Sequence, residues 1–495
     1  MVKQKNLKIN MILSAISSIM SIIVPIITFP YFSRILMPEG LGVYSFLSSF
    51  VNYFYVFAVL GISTYGTICC SRVRDDKVQL SKTASELFLI NTLLSLVSYS
   101  VLFVLTFFIN KLHDNWSYVL IIALSSITTV LNLNWLLQAN EEYVFSTLRG
   151  MITNVITIVL LFIFVRDQDD LFWYIYINMG LSVLSNIINF LYAKRYIKFN
   201  FRGELNLKRH IKPVLLYFAI SLATSVFMDI DKTLLGFMCG DMGDYYVGIY
   251  EACSKINRVL ITVITGTVGV LCPRMSYLVS NNKMEEFHGM MRKALTYVFL
   301  LSISAVIFIS FFGRDVVLAL LGEAYVDSII PMQVLLPVVM VKSITNITNM
   351  YLMAKGKEKH MTIALAIGAV INIIINVILI PNYNVLGVVI GTVISELFVM
   401  IYQLVAIKEF IKNIFRSFKW LMILELLAVT ILTMYVCYKF IHINMYVNIL
   451  IAGCIFLVEL FLIMLINKDE VLMTVLNKIF RRKKDVLDES EKKDN

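Results

Sequence analysis

The segment from Lys194 to Lys212, KRYIKFNFRGELNLKRHIK, divides the chain. It holds Lys194, Arg195, Lys198, Arg202, Lys208, Arg209 and Lys212, and apolar runs stand on both sides of it, near 171–193 and 213–238. A hydrocarbon core about 30 Å thick takes about 20 apolar residues per helical crossing. Lys and Arg collect in the cytoplasmic loops between such crossings. The segment therefore reads as a cytoplasmic connector between two sets of membrane helices. Working outward, apolar runs punctuated by charged or Gly, Pro and Asn clusters lie before it near 10–33, 40–68, 83–109, 117–139, 146–165 and 171–193. After it they lie near 213–238, 248–272, 294–313, 329–354, 361–380, 385–407, 418–438 and 446–467. The expected fold is an all-α polytopic membrane protein of about fourteen transmembrane helices.

Composition excludes the soluble alternatives. The 495 residues are 59% hydrophobic and 15% charged, with a mean hydropathy of +0.80, whereas soluble domains carry about 25% charged residues. A net charge of +10 would suggest nucleic acid as the partner of a soluble protein, but here the positive charge sits in alternate loops and no nucleic-acid partner is expected. With the N-terminus inside, the Lys and Arg residues fall in inside segments apart from Arg34, Lys111, Arg166, Arg314 and Lys439 outside and Lys232, Lys255, Arg258 and Lys342 within spans. Trp116, Trp173 and Trp420 fall where spans begin, at the headgroup layer that such rings favour. Lys3, Lys5 and Lys8 precede a run too long for a signal peptide and lacking a small-residue cleavage site, so 10–33 is the first membrane helix. Seven cysteines without a C-x-x-C pair, and five histidines in predicted loops without ligand spacing, give no expectation of a metal or other cofactor. The phosphate-loop pattern of ATPases is absent.

The connector sets the expected organisation: an N-terminal lobe of six helices at 1–200, a C-terminal lobe of six at 201–410, two further helices at 411–467 and a cytoplasmic tail at 468–495. An echo supports two related lobes, because Gly40-Leu41-Gly42-Val43-Tyr44 opens the second span and Tyr246-Val247-Gly248-Ile249-Tyr250 opens the eighth. An even number of spans separates them, as in parallel repeats. Ser14, Ser17, Ser18 and Ser21 recur at helical spacing and suit close packing of the first helix. In the tail, Arg481-Arg482-Lys483-Lys484 reads as a contact with anionic lipid.

Charges inside spans are the functional candidates, since each costs about 2.5–3.5 kcal/mol at a helix centre and so faces a bundle interior or a wet cavity. The seventh span carries Asp229, Asp231 and Lys232. The eighth carries Glu251, Lys255 and Arg258 on one stripe, the tenth Lys342, the twelfth Glu396, and the last two Glu425 and Glu459. One reading is a hydrophilic cavity with a cationic stripe that holds a phosphate or other acidic group. The other is that Asp229 with Lys232, and Glu251 with Lys255, only neutralise each other so that their helices insert. Arg34, just past Pro25 and Pro30, either snorkels to the headgroups or is turned into the central cleft. Asp241, Asp244 and the acidic cluster at Asp167, Asp169 and Asp170 read as polar turns rather than as a catalytic centre.

Thr28-Phe29-Pro30-Tyr31-Phe32-Ser33-Arg34 with Pro38-Glu39-Gly40-Leu41-Gly42-Val43-Tyr44, then Asp231-Lys232, Val247-Gly248-Ile249-Tyr250-Glu251-Ala252 and Lys255-Ile256, then Leu321-Gly322-Glu323-Ala324-Tyr325 and Ala354-Lys355-Gly356-Lys357-Glu358-Lys359, occur in the order seen in one family. Across essentially its whole length the chain resembles the polysaccharide-transporting flippases, which move lipid-linked oligosaccharides for O-antigen and capsule, within the multidrug/oligosaccharidyl-lipid/polysaccharide exporter superfamily. Met37 departs from the pattern, which has Gly before the proline. The resemblance implies two six-helix lobes around a central cavity plus two C-terminal helices. It implies a glycan on undecaprenyl pyrophosphate as substrate, flipped by alternating access and not chemically changed, so that the chain is not an enzyme. It places anion-binding roles on Arg34, Lys232, Lys255, Arg258 and Lys342, and leaves Asp229, Asp231, Glu251 and Glu396 as candidates for ion coupling.

The same resemblance implies a bacterial cell-membrane location with both termini cytoplasmic. Membrane lipids, a polysaccharide polymerase and glycosyltransferases are the implied partners. Three rivals stay open: a flippase for lipid-linked peptidoglycan precursor, a cation-coupled drug exporter, and a membrane-embedded glycan polymerase, which would need a large catalytic outer loop.

Overall fold

The computed structural model describes residues 7–201, 205–269, 271–408, 410–411, 420–440 and 444–466. The basic tail run and part of the connector, 202–204, lie outside the described residues, as do the side chains of Ser14, Ser17, Ser18 and Ser21. Every regular element among the described residues is helical: α1 (Leu7–Val59), α2 (Ile62–Ser71), α3 (Lys77–Phe108), α4 (Asn110–Asp114), α5 (Trp116–Ile127), α6 (Asn134–Ala139), α7 (Tyr143–Phe164), α8 (Leu171–Ala193) and α9 (Lys208–Met238). They continue with α10 (Gly243–Gly269), α11 (Cys272–Ser280), α12 (Met284–Leu321), α13 (Ile329–Leu335), α14 (Pro337–Ala354), α15 (Glu358–Ala406), α16 (Trp420–Phe440) and α17 (Met445–Ile466). In hydrocarbon a helix satisfies its own peptide groups, which is why an apolar chain of this kind adopts little else.

Ten of the described stretches are long and apolar enough to cross a membrane, and α13 with α14, bent by 49°, makes an eleventh. The first piece ends at Leu335, and Pro337, which has no N–H to give to the preceding turn, starts the next after Leu336 as its N-cap. Two of the long helices are broken in the middle, α1 at Met37 and α15 at Asn384, and each half exceeds the ~20 residues of one crossing. Counting those halves, with the 27-residue α10, gives the fourteen crossings read from the sequence. His113, His210, His288 and His360, expected in loops, lie within α4, α9, α12 and α15 instead. The helices run on past the apolar runs by one or more polar turns.

Contacts between connecting segments sort by parity. Segments that should lie on one face touch each other: Lys111 Nζ is 2.7 Å from Asp244 Oδ1, Tyr245 donates to Asp327 at 2.7 Å, and Asn384 donates to the Tyr246 hydroxyl at 3.2 Å. Segments of the other face do likewise. Arg74 pairs with Glu141, and Lys355 reaches the Met284 sulfur at 3.1 Å. A missed or surplus crossing would have put such partners on opposite faces. The chain is a multi-pass membrane protein.

The residues cluster into two compact units. The first comprises Met1–Lys255, Glu323–Pro331 and Thr362–Ser395, and the second Ile256–Gly322, Met332–Met361 and Glu396–Asn495. The first has a core around Ile62, Leu80, Leu87, Leu133 and Leu136. The second has a core around Met275, Phe287, Met291, Val298 and Ile347. Within the first unit the two echoed sequences meet. A Cβ added to Gly42 would fall on the Asp244 carbonyl, and one added to Gly248 would fall on the Pro38 carbonyl, so both helices need glycine to cross this closely. The echo is a reciprocal packing site.

Met37 sits at φ 55°, ψ 174°. The ring of Pro38 bars the helical conformation to the residue before it, and the angles adopted are ones that glycine takes at little cost and L side chains take with strain of order 1–3 kcal/mol. That accounts for the glycine that the resemblance implies at this position. Met37→Gly is expected to raise the thermal stability of the purified protein by about 1 kcal/mol after the entropy cost of glycine. A fall in the unfolding temperature would show that the turn is not strained.

Candidate functional site

Residues 229 and 231 of α9 are two apart, about 200° around a helix of 3.6 residues per turn, so they face opposite ways, whereas 229 and 232 share a face. The structure fills both faces of α9 with polar groups. On one, Lys232 Nζ lies 3.4 Å from Asp229 Oδ1 and 3.5 Å from Glu251 Oε2, and Lys255 Nζ lies 3.8 Å from Glu251 Oε1. Asp229 also accepts from Asn52 at 2.9 Å and from Ser49 at 3.5 Å, and the Lys255 ammonium stands 5.3 Å from the centre of the Phe29 ring. Two acids and two bases thus form one chain, Asp229 to Lys232 to Glu251 to Lys255. All its members are half-buried or buried, Lys255 being the most open with 30% of its side chain exposed.

The opposite face of α9 presents Asp231, 3% exposed. Its carboxylate accepts from the Tyr250 hydroxyl, from Thr392 Oγ1 at 2.9 Å and from Asn376 Nδ2 at 2.7 Å, and Asn376 is held in turn by Asn372 Oδ1 at 3.1 Å. Among the described residues no Lys, Arg or His nitrogen lies within 4.0 Å of it. A charge so buried is costly unless balanced, and its neighbours offer hard oxygen atoms and hydrogen bonds rather than a cation.

The remaining predicted residues lie elsewhere. Lys342 pairs with Glu396, which is 2% exposed, inside the second unit. Helical spacing could not supply this partner, because it stands on another helix. Arg258, two turns after Glu251 on α10, is exposed and belongs to the second unit, and Arg34 is exposed three residues before the α1 break. The structure therefore joins Lys232 and Lys255 through Glu251, and ties Lys342 to Glu396.

Sequence reasoning missed the groups that make these clusters polar without charge, Tyr250, Asn372, Asn376 and Thr392, as well as one buried ionic knot. Glu86, fully buried, accepts from Arg209 Nε at 3.0 Å and Nη2 at 2.5 Å and contacts His210 Nε2 at 2.8 Å, while Tyr65 holds the other ring nitrogen at 2.9 Å. An acid ten residues into α3 was the available signal. It fastens the end of the basic connector to α3.

These crossings define an all-helical polytopic membrane fold. That fold is shared with solved structures at TM-score 0.72 for "Lipid II flippase MurJ, inward closed conformation" (16% identity, covering 93% of this chain and all of that one), and 0.60 for an inward-facing multidrug resistance MATE family transporter of the MOP superfamily (15% identity, 79% and 96%). The chain belongs to the family described as Polysaccharide biosynthesis protein, whose pattern matches residues 7–279. The MatE pattern also matches, over residues 211–378. Two relatives carry the name "Putative O-antigen transporter": one from Escherichia coli K12, 21% identical over 72% of this chain and 85% of the relative, and one from Shigella dysenteriae, 25% identical over 78% and 96%. The protein is a membrane transporter of this family and not an enzyme.

Lys342→Met leaves the buried Glu396 carboxyl without its cation and is expected to cost about 3–5 kcal/mol. Adding Glu396→Gln should return most of that loss. Thermal unfolding of both variants in one detergent measures the difference, and a double variant no more stable than the single one would deny the pairing.

Proposed function

We propose that this transporter moves a lipid-linked oligosaccharide, a short glycan on an undecaprenyl-pyrophosphate carrier, from the cytoplasmic to the outer leaflet of the cell membrane for assembly of a surface polysaccharide. The relatives named for O-antigen transport support that substrate class. Both termini are then cytoplasmic, as the loop charges indicate. Glycosyltransferases that build the glycan and a polymerase that consumes it are the functional partners. Neither sugars nor pyrophosphate cross hydrocarbon unaided, because their polar groups would shed water with nothing in its place.

The observation that carries this reading is the chain through Glu251. Its ammonium–carboxylate separations of 3.4–3.8 Å hold Lys232 and Lys255 on either side of one carboxylate. A pyrophosphate entering beside them gains two cations at once, while Glu251 and Asp229 keep the site neutral when it is empty. Arg34 in the first unit is a further cation for the same group, and Arg258 and Lys342 in the second unit are candidates for contact during transport. Alternating exposure of the bound headgroup to the two membrane faces completes the cycle.

Among the candidates for ion coupling, Asp229, Glu251 and Glu396 each lie beside a lysine. Asp231 does not, and its ring of Tyr250, Thr392, Asn372 and Asn376 suits a proton on the carboxylate or a hard cation such as sodium beside it. We assign the coupling role to Asp231.

In liposomes containing undecaprenyl-pyrophosphate-linked oligosaccharide, Lys232→Ala and Lys255→Ala are expected to slow leaflet exchange at least tenfold. Exchange at the unmutated rate in Lys255→Ala, Arg258→Ala and Lys342→Ala alike would remove the anion site. Asp231→Asn is expected to abolish the response of exchange to imposed sodium or proton gradients, and an undiminished response would move the coupling site elsewhere.

A further inference from the structure

A second polar region of the first unit lies away from the charges and is built differently. The span Trp116–Ala139 is not one helix. α5 ends at Ile127, a 3-10 turn follows over Thr128–Leu131, and Asn132 (φ −78°, ψ 80°) and Leu133 (φ −78°, ψ 36°) leave the helical region before α6 begins. A second break lies at Leu60 and Gly61, both at positive φ, between α1 and α2. Non-helical backbone at membrane depth persists only where protein covers it or where it lines a hydrophilic cavity. Both breaks border the same cavity, of about 210 Å³, which Val59 and Ile62 flank on one side and Thr129 and Asn132 on another.

No charged residue lines this cavity. Its wall presents the amides of Asn91, Asn132, Asn134 and Gln138 and the rings of Tyr55 and Trp135. Two of these groups are nine-tenths buried with an unsatisfied atom: Asn91 and Trp135 are each 5% exposed, and the Asn91 Oδ1 acceptor and the Trp135 Nε1 donor have no hydrogen-bond partner. The oxygens of Asn132, Asn134 and Gln138 are engaged by Asn189, Ser146 and Thr67, which leaves their NH₂ ends without a protein partner among the described residues. A buried polar atom left unsatisfied is destabilising, so the arrangement calls for an occupant that both donates and accepts.

We infer that this cavity is a sugar subsite, taking one neutral pyranose ring of the transported glycan. A hydroxyl of such a ring donates to Asn91 Oδ1, a neighbouring hydroxyl oxygen accepts from Trp135 Nε1, and the amide NH₂ groups serve the remaining oxygens. The absence of lysine, arginine, aspartate and glutamate from the wall excludes the pyrophosphate and favours a neutral polyhydroxyl ligand. At roughly 30 Å³ per water, the space equals several waters, the hydration that a ring would displace. Gly66 shapes the site: a Cβ there would stand 2.9 Å from the Trp135 indole, so a larger residue would push the ring from its place. This inference rests on the glycan reading above and adds to it where a sugar is recognised.

The test is binding of free sugars to the full-length protein in detergent, followed through Trp135 fluorescence in a Trp116→Phe, Trp173→Phe, Trp420→Phe background. Glucose, galactose, N-acetylglucosamine and rhamnose are the probes, with glycerol as the acyclic control. A saturable change with at least one pyranose, absent with glycerol and weakened at least tenfold by Asn91→Leu and by Gln138→Leu in variants that retain the parent unfolding temperature, is the expected result. No saturable change with any pyranose, the outcome for a cavity that holds water only, would overturn the subsite, as would saturation unaltered by either variant. Because leaflet exchange of the lipid-linked substrate is measured separately, the subsite can fail while the transport reading stands. Failure of exchange with sugar binding intact would point the other way.

Discussion

Hydrocarbon offers no hydrogen-bond partner to a peptide group or a charge, so each departure from apolar helix in this chain must be answered by another part of the protein. The answers take three forms. Asp229, Lys232, Glu251 and Lys255 answer one another in a chain of opposite charges. Glu86 is answered by Arg209 and His210, and Asp231 by hydroxyl and amide groups alone. An ion pair fixes its members to each other, whereas a nest of neutral donors leaves a charge that a small cation or a proton can balance.

Glycine and its absence mark where the backbone is under most demand. Gly42 and Gly248 let two helices approach until backbone meets backbone, with Lys111 close by, bonded to the Gly236 carbonyl at 2.8 Å and to Asp244. Met37 stands a few residues away, on the same turn, in a conformation suited to glycine. A turn that carries strain beside so close a crossing stores energy at a place where helices meet, as functional segments often do.

Crossings, connectors and most charged candidates were legible in the sequence because each has a one-dimensional signal: apolar length, the Lys and Arg bias, or an isolated charge in a run. The i, i+3 pairing of Asp229 with Lys232 and the i, i+4 pairing of Glu251 with Lys255 were equally readable. Contacts between distant helices were not. Nothing in the spacing ties Lys342 to Glu396, or Lys232 to Glu251, and the neutral partners of Asp231 come from α10 and both halves of α15, where Asn and Thr among aliphatic residues look like ordinary membrane helix. The breaks at Asn132 and Leu60 were hidden because hydropathy averages over a window and is indifferent to backbone angles. The echo was visible, but that its two copies pack on each other is a property of the folded chain.

The two polar faces of α9 are not independent. Asp231 and Lys232 are adjacent, as are Tyr250 and Glu251 on α10, so each helix contributes consecutive residues to both clusters. Tyr250 bonds Asp231 while Glu251 reaches Lys232. A rotation or shift of either helix that loosens the Asp231 nest must therefore displace the lysine chain, since one residue of rigid helix separates the groups. Under the proposed reading, a proton or cation arriving at Asp231 changes the free energy of one set of helix positions relative to another, and the pyrophosphate held by Lys232 and Lys255 experiences that same change. Coupling of this kind is reciprocal by linkage: a substrate that favours one position of α9 must alter ion affinity at Asp231 by the same factor. It needs no long path through the protein, because the two sites share their backbone.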